Sequence, residues 1–140
     1  MNKKLLLKDL SRRITYHTKL LHIEWSSVFE EDIDSIEILE SVSEKGYVNG
    51  IIDISDIKPY LFPMSSLTFE QRDEISNSLK QIQKENPPYG VINYSGTDNV
   101  LNSISLCSNW LIEFYCKNHI DYLGLIDKGM AIDCTNLNIY

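Results

Sequence analysis

The stretch KKLLLKDLSRRITYHTKLLHIEW, Lys3–Trp25, changes its hydrophobic period midway, and that change decides the fold class. Leu6, Leu7, Leu10 and Ile14 recur at helical spacing with basic residues between them. Strong helix formers dominate the segment, so its reading is a short amphipathic helix over 3–13. Arg12 and Arg13 fall at its end, where positive charge suits the helix dipole. From Ile14 the period drops to two. Ile14, Tyr16, Thr18 and Leu20 share one face; Thr15, His17, Lys19, Leu21, Ile23 and Trp25 share the other. β-Branched and aromatic residues are frequent there, which predicts a strand.

Further along, Ser26 to Asp34 reads as a loop, and Ile36, Ile38 and Val42 alternate with polar residues. Glu44-Lys45-Gly46 reads as a turn and Tyr47 to Ile54 as a return strand, with Asn49-Gly50 as a competing hairpin signal or bulge. These elements predict an antiparallel meander packed on the first helix. Pro59 and Pro63 make 57–68 a boundary that no regular element crosses. Thr68 with Gln71 forms a capping box for a helix with Phe69, Ile75, Leu79 and Ile82 on one stripe, stopped by Asn86-Pro87-Pro88. Tyr89 to Tyr94 is a short strand candidate. Asp98 or Asn99 can cap a helix whose stripe is Val100, Ile104, Cys107, Leu111 and Phe114. The tail turns at Gly124 and Gly129 and has one short strand around Met130 to Cys134. The expected fold is α+β: a single domain, 1–140, in which a small antiparallel sheet of three to five strands packs with about three helices. Residues 1–56 supply helix and meander, 57–68 a proline-containing crossover, and 69–140 helices with a C-terminal turn and strand.

The composition fits a globular protein with a core of its own. No apolar run approaches the ~20 residues that span a bilayer. Leu5-Leu6-Leu7 after two lysines breaks at Lys8 and Asp9, short of the ~7–15-residue core of a signal peptide. The expectation is a cytoplasmic protein with no membrane partner. The net charge of −7 argues against direct nucleic-acid binding, which needs a basic face. That charge is unevenly spread: residues 1–23 carry +5, residues 24–44 carry −8 and the remainder −4. Either these poles pair in the fold or the acidic one is left for a partner.

Motifs for chemistry are sparse. Cys116 and His119 stand one helical turn apart, a spacing that can chelate a metal, but no second Cys/His pair completes a ligand set. A buried thiol and a helix-end histidine account for them, so no metal and no cofactor is expected. His17 and His22 would lie on opposite strand faces. Ser65-Ser66 lacks a nucleophile elbow, six scattered glycines make no phosphate cradle, and Asp53 and Asp56 read as a solvated strand edge. Three cysteines in no repeated spacing make no disulfide framework. The reading leans away from an enzyme.

Two blocks carry a resemblance. They are DIKPYLFPMSSLT, Asp56–Thr68, and HIDYLGLIDKGMAID, His119–Asp133, with NLNIY at Asn136–Tyr140. In this order they resemble a family of uncharacterised small proteins encoded by gut Bacteroidales genomes, prophages and phages. Relatives usually carry Arg where Phe62 and Leu123 stand and a second His at Asn118. The family has no assigned activity, so the resemblance implies a shared fold and a phage-associated setting in a bacterial host. Packing and capping explain most residues of both blocks.

Three functional expectations follow. The first is a non-enzymatic accessory protein that binds a protein partner, with self-association left open. The second is a nucleic-acid mimic or host-defence inhibitor using Glu30, Glu31, Asp32, Asp34 and Glu37, where the ordinary account is a solvated face. The third is a small ligand-binding domain or enzyme with Cys116, His119 and Tyr122 near a site at the C-terminal block.

Overall fold

Asn2 starts the first helix, its side chain accepting the Leu5 amide at 3.1 Å. The computed structural model describes the backbone of residues 2–85 and 96–140, and the side chains of 2–85 and 106–140. The strand expected over Tyr89–Tyr94 and the stop at Asn86–Pro88 lie outside the described residues. So do the side chains of Asp98, Asn99, Val100 and Ile104.

Helix α1 spans Lys3–Ser11 and buries Leu6, Asp9 and Leu10. It ends earlier than its period predicts. Arg13 Nε is held by Asp9 Oδ2 at 2.8 Å, and Arg13 Nη2 donates to the Ile120 carbonyl at 2.6 Å. Both charged side chains are fully buried. A single 3₁₀ turn, Ile14–Tyr16, follows, and His17 takes the left-handed conformation at φ 53°. Strand β1, Lys19–Ser26, therefore starts later than the alternation suggested, and His17 lies outside it.

β1 pairs antiparallel with β2, Glu31–Ile38, from Lys19↔Ile38 to Ser26↔Glu31. Most of the expected Ser26–Asp34 loop is thus hairpin, closed by a turn at residues 27–30. The expected return strand is instead two short ones, β3 (Tyr47–Val48) and β4 (Ile52–Asp53), paired as a separate hairpin around Asn49-Gly50. The local turn signal won: Asn49 sits at φ 52° and Gly50 at φ 88°, a region open to these residues.

β5, Ile57–Pro63, corrects the reading of 57–68 as an irregular crossover, since it pairs on both sides. It lies antiparallel to β1 through Leu20↔Pro59, Leu21↔Lys58 and His22↔Ile57. The Leu39 amide bonds the Thr18 carbonyl at 2.9 Å, and this phases the ladder. Alternation then turns the backbone groups of Leu20 toward β2 and those of Pro59 away from β1. On that far side the next pairing, to β7 (Ile132–Asp133), begins only at Tyr60. Pro59 thus removes a donor on the side where the pairing to β7 has not yet begun. β6, Ile120–Asp121, and β7 both run parallel to β5, so the five-stranded sheet is mixed rather than antiparallel. One sheet face carries Leu20, Ile57 and Leu61, which join Leu6 and Leu10 of α1 and Leu39, Val48, Ile54, Leu125 and Met130 in the core.

This sheet unit comprises Met1–Ser66 and Cys116–Tyr140; a second compact unit comprises Leu67–Tyr115. The second contains α2, Phe69–Glu85, and most of α3, Gly96–Lys117. The capping box forms as expected: the Thr68 amide donates to Gln71 Oε1 at 2.9 Å and the Gln71 amide to Thr68 Oγ1 at 3.1 Å. Trp110 stacks on Phe114 at 5.1 Å. Helices and a mixed sheet make the chain α+β.

Removing one partner of the buried ion pair leaves the other charge unmatched. Asp9→Ala is expected to cost about 3–5 kcal/mol in urea unfolding, and the double change Asp9→Leu with Arg13→Met to recover much of it. A double variant no more stable than Asp9→Ala would contradict this account.

Candidate functional site

Beyond His22, β1 has no β5 residue opposite it, while its pairing with β2 continues to the turn. The hairpin there is a two-stranded arm. In the turn, the Phe29 amide donates to Ser26 Oγ at 3.3 Å and Glu30 takes φ 52°. The arm carries large apolar side chains in solvent: Trp25 is 62 % exposed, Val28 83 % and Phe29 67 %. Ile33, Ile36 and Ile38 of β2 are exposed as well. A cavity of about 390 Å³ runs along the arm, lined among others by Ile23, Trp25, Asp32, Asp56 and Lys58.

The five acidic residues singled out in the sequence lie on this hairpin. Glu30 sits in the turn, and Glu31, Asp32, Asp34 and Glu37 on β2. Strand alternation divides them. Asp32 and Asp34 share the face of Trp25 and Ile23, their cross-strand partners, while Glu31 and Glu37 lie on the other. Asp34 also acts on Tyr60 of β5, whose phenol is pushed up by burial and then by that carboxylate. Among the described residues, no Lys or Arg forms an ion pair with a carboxylate of residues 24–44; the contact found is His22 Nδ1 to Glu37 Oε1, at 3.9 Å, which is ionic only with the imidazole protonated.

Cys116, His119 and Tyr122 come together at a second place, where α3 ends and β6 begins. Cys116 is buried, and burial pushes its thiol up, against the pull of Arg13 and a hydrogen bond to Tyr122. A raised thiol is a poor nucleophile. Tyr122 Oη accepts Arg12 Nη1 at 2.8 Å, and its ring lies 5.6 Å from the Arg13 guanidinium. His119 takes φ 58° and stacks flat on Tyr140, ring centroids 3.6 Å apart. Tyr140 in turn enters the sheet. Its hydroxyl accepts the Lys19 amide at 2.8 Å and donates to the Tyr60 carbonyl at 2.9 Å, bridging β1 and β5 where they part. Beside it, Lys19 Nζ donates to the Ile139 carbonyl at 2.7 Å. The Asp121 carboxylate accepts the Leu125 and Ile126 amides, each at 2.8 Å, and fixes the tail's turn. Chemically this is a clamp of ring stacking and hydrogen bonds around buried Cys116 and Asp121. Neither this arm cavity nor a smaller one of about 180 Å³ beside α1 is lined by Cys116, His119 or Tyr122.

Among the described residues, no group of three or more His, Cys, Asp and Glu side chains assembles to hold a metal. No helix among them is long and apolar enough to cross a membrane. Comparison with models of known families, with curated proteins and with solved structures gives no match.

Sequence reasoning missed the Asp9–Arg13 pair, though its i,i+4 spacing was a signal. It also missed Trp25, Val28 and Phe29 as exposed residues of one hairpin end, because their placement beyond the last β1–β5 pair depends on where that pairing stops.

The fold holds His119 neutral. Burial, then Arg13 and Lys19, lower it from 6.5 to about 4. As pH falls below about 6.5 the unfolded chain takes up this proton first, so stability declines toward pH 4 and is level above 6.5 on this account. In His119→Asn, which suits the left-handed backbone, the pH slope of thermal unfolding between those values should flatten. Equal slopes in both proteins would show that His119 is not its source.

Proposed function

We propose that this chain is a non-enzymatic accessory protein that acts by binding a protein partner through the β1–β2 arm. The carrying observation is Trp25, Val28 and Phe29 held in solvent on a hairpin that, among the described residues, has no neighbouring strand beyond His22. Exposed aromatics grouped with apolar neighbours are the usual anchors of protein interfaces. The carboxylates around them supply steering and partner selection. Their division between two faces, with isoleucines interleaved, suits a protein contact better than the single anionic row of a nucleic-acid mimic. Cys116 is buried and hydrogen-bonded to Tyr122, Tyr122 is held by Arg12, and His119 is stacked on Tyr140, which favours a structural role over catalysis. A phage- or prophage-associated setting fits, on the resemblance of the Asp56–Thr68 and His119–Asp133 blocks.

A photoreactive phenylalanine analogue placed at Phe29 should give discrete cross-linked adducts in native cells. Those adducts should disappear with Trp25→Ser, a change at an exposed site that leaves thermal unfolding in place. The same analogue at exposed Ser76 of α2 should not give them. Identical adducts from both positions, or none from Phe29, would overturn the reading.

A further inference from the structure

The phase of the β1–β2 ladder determines which backbone groups of β2 are spent. With Thr18 and Leu39 a hydrogen-bonded pair, so are Leu20↔Glu37, His22↔Ser35, Glu24↔Ile33 and Ser26↔Glu31. The amides and carbonyls of Asp32, Asp34, Ile36 and Ile38 then point to the outer edge. Asn49 Nδ2 confirms this phase, since it reaches the Ile38 carbonyl at 2.8 Å. Among the described residues no strand occupies the rest of that edge: β2 is terminal in the sheet order β2-β1-β5-β6. Such an edge invites another strand unless charge or a covering element blocks it.

The occupant follows from the side chains. β2 carries Glu31, Asp32, Asp34 and Glu37 and no lysine or arginine. A second copy is therefore a poor partner. Antiparallel registers of β2 on itself set Asp34 against Asp34, Asp32 against Asp34, or both aspartates against isoleucines. Like charges directly opposite destabilise a sheet pair, and opposite charges stabilise it.

Resting on the protein-binding reading above, we propose that the outer edge of β2 takes an extended basic segment of the partner as an added antiparallel strand. Its recognition pattern is apolar-x-basic-x-basic, with the apolar residue opposite Ile36 and the two Lys or Arg opposite Asp34 and Asp32. The main-chain bonds supply attachment and the two aspartates supply selection, as in other strand-addition complexes. Among the described residues the carboxylates of β2 form no ion pair with Lys or Arg, so the incoming cations meet unneutralised carboxylates. Trp25, cross-strand from Asp32, stands on the same face and can cover a lysine stem.

The probe is a fluorescein-labelled peptide TVTKVKT, titrated into the full-length protein at low ionic strength and read by anisotropy. Its first valine falls opposite Ile36 and its lysines opposite Asp34 and Asp32. Three results are expected. Binding saturates. It weakens roughly tenfold or more in Asp32→Lys with Asp34→Lys, exposed changes whose fold is checked by thermal unfolding. It is abolished by N-methylation of the first lysine, whose amide would face β2, and retained with N-methylation of the second valine, whose amide would face away. Equal affinity of the two methylated peptides would reduce the contact to charge alone and overturn strand addition. No binding of the unmodified peptide, with Phe29 cross-links intact, would overturn the edge proposal and leave the protein-binding reading standing. Loss of the Phe29 cross-links with the peptide still bound would sink that reading while the edge remained a peptide site.

Discussion

The sheet unit depends on one buried ion pair. Asp9 and Arg13 lie four residues apart at the end of α1, both without solvent contact. Burial works against the charge on Arg13, and the Asp9 carboxylate overrides it. The guanidinium then spends another donor on the Ile120 carbonyl, 107 residues away. A charge this buried has few tolerable positions, so it locks the end of α1 to the strand that re-enters the sheet after α3. Arg12 repeats the link one residue earlier through the Tyr122 hydroxyl.

From that lock the rest of the sheet can be followed. β6 is held where β1 has already left β5, and Tyr140 fills the fork between them. Its hydroxyl replaces a direct Lys19–Tyr60 ladder bond with two bonds of its own. Backbone groups that would otherwise be stranded are thereby satisfied. The opposite end of β1 receives no such treatment. There β5 stops pairing at Ile57, and the hairpin runs on with Trp25 and Phe29 in water. Among the described residues, one end of the sheet is closed by the chain's own tail, while at the other the arm extends past its last pairing with β5.

Much of the local structure was legible. The 3.6-residue stripe of α1, the Thr68–Gln71 capping box, the hairpin signal at Asn49-Gly50 and the turn glycines Gly124 and Gly129 each act within a few residues. Pro59 misled for an instructive reason. Proline forbids a ladder bond only on the side its nitrogen faces, and that side is set by strands distant in sequence. The acidic stretch misled similarly. Glu31 to Asp34 has loop-like composition, yet cross-strand pairing with β1 holds it extended, overriding its weak intrinsic preference.

By itself, then, the amino-acid sequence determined that helix and strand alternate in an α+β chain, that the first helix is basic, and that a dense run of carboxylates follows the first strand. Those properties come from period, propensity and charge, all short-range. Only the tertiary structure decided that Arg13 is buried, that the 57–63 segment is a paired inner strand, and that the carboxylates lie along an edge with backbone groups turned outward. Which strand remains uncovered depends on every other pairing in the sheet, and no local pattern in β2 encodes the absence of a neighbour.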